Sequence, residues 1–249
     1  MAAAMARRLW IVLGLVACEP PLRIRALPEL VAQDPAIAIA VPALQLVPGE
    51  ALIWDVHVQG FTIGRAELVV SEHRVHSRFA TSSLVRSFAN VRHELTTILD
   101  RGGARPIHAS DALDVEAEHT RVESAFDGSR VETVGQPGAL VVPGGNIGHT
   151  LHTALGALRA WASPRATAGY LYVAHAGELF RLDFAQPVVE DTRGTATLRI
   201  EGRVRATPNQ PAIAMTIWLR AIADHAPLRF EVRSADVKLT AELIASDAR

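Results

Sequence analysis

The chain has 249 residues, 49% of them hydrophobic and 20% charged, with a formal net charge of −1 and one cysteine. That length carries one large domain or two small ones, and it is ample for a hydrophobic core. Near-neutrality removes the sequence-independent attraction on which nucleic-acid binding rests, and a lone cysteine excludes both an intrachain disulfide and a thiolate metal cage.

The chain opens on an export signal. Arg7 and Arg8 precede an apolar run from Leu9 to Ala17. A run this short is a signal-peptide core, because a membrane span needs about 20 apolar residues. It ends in Leu15-Val16-Ala17-Cys18, the pattern of a bacterial lipobox, in which small residues precede the cysteine that takes the diacylglycerol thioether. An ordinary secretory signal would leave the position of the only cysteine a coincidence. Residues 1–17 are therefore expected to be removed, and Cys18 to carry the lipid that anchors the protein. The expected location is the periplasmic side of the bacterial envelope, with the outer membrane favoured over the inner.

Residues 18–48 hold Pro20, Pro21, Pro28, Pro35, Pro42 and Pro48. Proline at this density favours extended, semi-rigid chain, and the segment is expected to be a tether. Within it, Ile37 to Val41 is also compatible with a short edge strand.

From Gly49 the dominant period is two. Leu52, Trp54, Val56 and Val58 alternate with Ile53, Asp55, His57 and Gln59. The same alternation recurs around Ala66–Val70, Val75–Phe79, Ala196–Val204, Leu228–Val232 and Val237–Leu243. Such segments read as half-buried antiparallel strands, and turn signals such as Gln59-Gly60, Asp127-Gly128 and Ala176-Gly177 separate them. Roughly eleven strands are expected at the spacing of a sandwich or barrel. One segment departs from this period. Ile147, Leu151, Ala154, Leu155, Leu158 and Trp161 recur at helical spacing, in a stripe about 120° wide. Asn146 is the expected N-cap, and Ser163-Pro164 stops the helix. The predicted fold is a mainly β, antiparallel, strongly curved sheet or partly open barrel, a single domain over 49–246 with one central helix around 147–162.

Few residues carry a chemical signature. His149 and His152 are three apart on the helix, opposite its apolar stripe, and read either as a solvated pair or as two zinc ligands lacking a third. The other histidines (His57, His73, His76, His93, His108, His119, His175 and His225) are dispersed and read as surface residues. No nucleophile elbow, cysteine–histidine pair or phosphate-binding glycine loop is present. No catalytic residue, cofactor or metal ligand is assigned. Arg199, Arg203 and Arg205, with Arg229 and Arg233, form a basic stripe, which suits either cross-strand ion pairs or contact with an anionic partner. Trp54 and Trp218 are the aromatic residues suited to lining a lipid-sized cavity, or to an ordinary core.

Several local patterns occur in a telling order. They are Gly49-Glu50-x-Leu52-x-Trp54-x-Val56 followed by Gly60 and Gly64-Arg65-Ala66, then Leu99-Asp100 with Arg105-Pro106. Next come Leu155-Gly156-Ala157-Leu158-Arg159, then Ile217-Trp218-Leu219 and Ala226-Pro227-Leu228-Arg229. Together they resemble a bacterial cell-envelope family, the domain of unknown function numbered thirty-one-oh-eight, over about residues 48–244. The chain departs from that family at Trp54, where a tyrosine is usual, and in a less polar helix start at Asn146-Ile147. The resemblance implies an exported antiparallel β domain, an open barrel like those of lipoprotein carriers, and supplies no catalytic residues.

The leading functional expectation is a membrane-anchored, non-enzymatic module that binds a lipid or other apolar ligand. The alternatives are an envelope assembly factor that binds a protein or glycan partner, and a metal-dependent hydrolase built on His149 and His152. Nucleic acid is not an expected partner, and the sequence leaves the oligomeric state open.

Overall fold

The computed structural model describes residues 34–136, 138–192, 194–206, 212–234 and 237–248. The expected signal peptide, the expected lipidation site Cys18 and the first part of the Pro-rich segment lie outside the described residues. The described chain holds sixteen strands in one sheet: β1 (Glu50–Val58), β2 (Phe61–Val70), β3 (Arg74–Thr81), β4 (Val91–Leu99), β5 (Pro106–Val115), β6 (Glu118–Asp127), β7 (Arg130–Thr133), β8 (Ala139–Val141), β9 (Gly148–His149), β10 (Gly169–His175), β11 (Glu178–Phe184), β12 (Val188–Thr192), β13 (Thr195–Arg205), β14 (Ile213–Arg220), β15 (Pro227–Arg233) and β16 (Lys238–Ala248). The count exceeds the roughly eleven expected, because short strands such as β7, β8, β9 and β12 show no readable alternation. Among the described residues, helices are confined to one turn at Ser83–Arg86, a 3₁₀ turn at Pro143–Gly145 and the central helix, Leu151–Trp161.

Each strand from β1 to β7 pairs with the next, β1 pairs with β16, and the order continues back through β15, β14, β13, β11, β10 and β9. All pairings are antiparallel except the two-residue contact of β9 with β10. β13 changes partner along one edge: Thr195–Arg199 pair with β12, and Gly202–Arg205 pair with β11. The path ends at β8 and β9, so the sheet is strongly curved and not closed. Its parity is the one the sequence shows. Along β1, Leu52, Trp54 and Val56 are buried, with more exposed residues between them. The hairpin turns Gln59-Gly60 and Ala176-Gly177 have positive φ at both residues, the geometry that matches the right-handed twist of flanking strands.

The central helix fills the concavity of the sheet. Ala154, Ala157 and Leu158 join a core built on Leu171, Phe180, Phe184, Leu198, Ile200 and Leu219, while Leu155 packs against the second core of Leu52, Trp54, Leu68, Val70, Val75 and Leu99. The helix begins four residues later than expected. Gly148 and His149 pair with Tyr172 and Val173 of β10, and Thr150 caps the helix in a reciprocal box with Thr153. Asn146 instead donates its side-chain amide to the Pro143 carbonyl at 2.7 Å.

The described part of the Pro-rich segment is a strap on the domain. Ala38 bridges Tyr170, and the Ile39 amide donates to the Tyr170 carbonyl at 2.8 Å. Ile39 is buried in the first core. Further on, the Gln45 amide donates to the Gly156 carbonyl at 3.0 Å. A Cβ on Gly156 would stand 2.8 Å from Leu46 Cγ, so glycine is what lets the strap lie on the helix. Folded structure thus extends upstream of Gly49, where the period-two pattern begins.

Candidate functional site

The inner face of the sheet carries a polar layer in one place. On β4 the inward residues are Val91, His93, Leu95, Thr97 and Leu99, and on β5 they include Ala109 and Asp111. Leu95 faces Asp111 across the ladder, which puts His93 on the diagonal from Asp111, within reach of long side chains. His93 Nε2 lies 2.7 Å from Asp111 Oδ1. From the far arm of the sheet, His175 at the end of β10 brings Nδ1 to 2.7 Å from Asp111 Oδ2. That second contact lies off the line of a well-directed hydrogen bond, and Oδ2 is buried without one. The two imidazoles stand edge to face, with centroids 5.9 Å apart. All three side chains are nearly enclosed, at 12%, 11% and 3% exposure for His93, Asp111 and His175. Burial alone would raise the Asp111 carboxyl, but His175 and His93 outweigh it and hold the group well below the usual carboxylate range.

The central helix adds a second set of polar groups above this cluster. Thr97 Oγ1 donates its proton to Thr150 Oγ1 at 3.0 Å. Thr97 therefore accepts from His152 Nδ1 at 2.9 Å, and His152 Nε2 accepts from Ser77 Oγ at 2.8 Å. The network assigns the neutral Nδ1–H tautomer to His152. Burial, followed by the nearby His76 and His93, pushes its pKa down to about 3. Burial likewise pushes His149 down to about 4, and His149 Nδ1 has no hydrogen-bond partner among the described residues.

These positions correct the expectation of a solvated histidine face. His149 and His152 are buried, as are Gly156 and Arg159 beside them on the helix. The reason is tertiary. A curved sheet and a strap cover the polar side of the helix as well as its apolar side. Nor do His149 and His152 converge as metal ligands, since both ring nitrogens of His152 are committed to hydroxyl groups. His93 and His175, expected on the surface, are the inward ones. Their signal was parity: His93 shares it with Leu95 and Leu99, and His175 with Leu171 and Val173.

The other singled-out residues occupy varied places. Trp54 is buried against Phe230, and its indole N–H donates to the Pro227 carbonyl at 3.0 Å. Trp218 is half-buried, donates to Glu190 Oε1 at 2.6 Å and lies under the Arg229 guanidinium. Arg199 pairs with Glu190 and Glu201, and Arg203 and Arg205 both pair with Asp34 and with the fully buried Asp183. Two cavities among the described residues touch none of these side chains. One, of about 10 Å³, adjoins Asp111, His175, Ser124 and Thr150. The other, of about 130 Å³, lies between Arg105, Ile107, Phe126, Asp127 and Ile147.

No family model and no curated protein matches the chain. Among solved structures, the fold is similar to a β-barrel-like protein of a domain of unknown function, DUF1849, from Brucella abortus. That match has 13% identity and a TM-score of 0.58, and it covers 83% of this chain and 100% of that one. Lesser likenesses are a DUF1089 family protein from Pseudomonas aeruginosa (10% identity, 67% of this chain and 88% of that one, TM-score 0.42) and the lipoprotein LppX from Mycobacterium tuberculosis (10% identity, 79% and 85%, TM-score 0.25). The first likeness shows a shared β-barrel-like architecture.

Proposed function

We propose that this protein is an exported, lipid-anchored module of the bacterial envelope that works by binding rather than by catalysis. The anchor is read from the N-terminal sequence: a short apolar core after Arg7 and Arg8, and the only cysteine at the lipobox position. Kinship with the envelope family that the local motifs resemble belongs to the same reading. Metabolic labelling with a clickable palmitate is expected to mark the protein and to be lost in Cys18→Ala. Label retained in that variant would refute the anchor.

The observation that bears most on the ligand is the filled concavity. The central helix and Ile39, Leu44 and Leu46 of the strap occupy the space that a carrier would leave for cargo. A pocket for a drug-sized ligand measures about 300–1,000 Å³, and the cavity between Arg105, Ile107, Phe126, Asp127 and Ile147 is about 130 Å³. This favours a macromolecular partner bound on the outside. β12 is a suitable edge: among the described residues it pairs with β13 alone, and Val188 and Val189 on it are about half exposed. A photo-crosslinker at Val189 in cells is expected to give one discrete protein adduct.

The apolar-ligand reading keeps one support. The lining under the helix includes two apolar clusters, which displacement of the helix would expose. Native mass spectrometry separates the two readings. Lipid mass beyond the acyl groups on Cys18 would transfer the function to apolar cargo, and its absence together with the Val189 adduct would support the protein partner.

A further inference from the structure

We propose that His93, Asp111 and His175 form a binding site for a divalent transition cation of the zinc class, which staples the two arms of the open sheet. Each residue offers a donor atom, and the three donors lie within 4.8 Å of one another. Two imidazoles with one carboxylate suit zinc and its neighbours, whereas calcium and magnesium take oxygen ligands. Asp111 Oδ2 is the buried donor that the protein leaves without a well-directed hydrogen bond, and a cation between the side chains would satisfy it. The adjoining cavity of about 10 Å³, bounded by Asp111, His175, Ser124 and Thr150, holds about one water, which supplies the fourth ligand of a tetrahedral site.

The enclosure decides the role. Three protein ligands and a water also describe catalytic zinc, but with the three side chains at most 12% exposed the ion is shielded by protein, and its role is structural. Its effect follows from topology. His93 and Asp111 stand on β4 and β5, and His175 stands on β10, on the other arm of the sheet. Among the described residues, neither β4 nor β5 shares a ladder with β10, so a shared ion adds a cross-link where the backbone provides none.

The test uses the full, untagged chain purified in detergent, stripped with a chelator and titrated with zinc sulfate against a chromogenic competitor. One tight equivalent is expected. The melting temperature is expected to rise by roughly 5–10 °C when free zinc reaches about a hundred times Kd. Asp111→Asn and His175→Gln are expected to lose that equivalent. His108→Gln, at an exposed histidine outside the cluster, is expected to keep it. Should the cluster variants fail to fold, zinc-edge X-ray absorption of the unsubstituted protein decides the matter. Scattering from two imidazoles supports the site. Absence of imidazole scattering, or of saturable binding, overturns it.

Discussion

Among the described residues Arg159 is the largest fully buried side chain, and it pairs with the Glu50 carboxylate. Its guanidinium donates to both Glu50 oxygens, at 2.7 and 3.0 Å, and to the Asp224 carbonyl at 2.7 Å, tying the central helix to the start of β1. Removing one member of such a pair strands a buried charge, which costs about 3–5 kcal/mol, whereas replacing both by apolar residues of similar size is often neutral. Glu50→Ala is therefore expected to lower stability by about that amount in urea unfolding, and Glu50→Leu with Arg159→Met to recover most of it. Additive losses in the double variant would show that the pair acts through something other than its charge. The buried histidines act with pH. His152 and His149 have folded-state values near 3 and 4, against an ordinary value near 6.5 in the unfolded chain. Below pH 6.5 the unfolded chain takes up protons that the folded chain refuses. Their contribution is thus complete above that pH and is lost as pH falls toward 4. Each group steepens the fall by up to about 1.4 kcal/mol per pH unit. Chemical denaturation from pH 7 to 4 is expected to show this decline. A flat profile would mean that the two rings are not desolvated.

At the scale of the element, the central helix is amphipathic in sequence and buried nearly all round in the fold. Its two sides solve different problems. Ala154, Ala157 and Leu158 pack as ordinary core, while Thr150, His152 and Arg159 are polar groups whose partners come from β4, β3 and β1. Thr150 joins the two roles, capping the helix and accepting from Thr97. Thr150→Ala is expected to cost about 1 kcal/mol for the lost cap, and a further 1–3 kcal/mol because Thr97 loses its acceptor. Thr150→Ser, which keeps the hydroxyl, is expected to restore most of the loss. The strap makes a separate demand. Gly156 faces Leu44 and Leu46 at distances that leave no room for a side chain. Gly156→Val is expected to destabilise by about 1–3 kcal/mol through overpacking and to speed proteolytic cleavage within residues 38–46. Unchanged cleavage would mean that the strap does not depend on the helix surface.

At the scale of the molecule, the strand pattern was legible because antiparallel strands with one dry face write their parity into the sequence. β1, β2, β13 and β16 could be read in this way. The polar cluster was not legible. His93, Asp111 and His175 are 18 and 64 residues apart, and only the curvature of the sheet brings β10 over β5. Parity marked each as facing inward, but no local pattern says which inward residues meet across a concavity. The histidines of the helix misled for the opposite reason: spacing shows which residues share a face, not whether something covers it.

The sequence by itself determined the mainly antiparallel β class and the place of one helix, and it carries the expectation of an export signal and a lipid site, since each rests on local composition or periodicity. Only the tertiary structure decided that the concavity is filled, that the strap belongs to the folded body, that the arginine stripe is spent on Asp34, Asp183, Glu190 and Glu201, and that two histidines and an aspartate meet inside. These features depend on contacts between residues distant in the chain, and such contacts form only when the long sheet curls around its own helix.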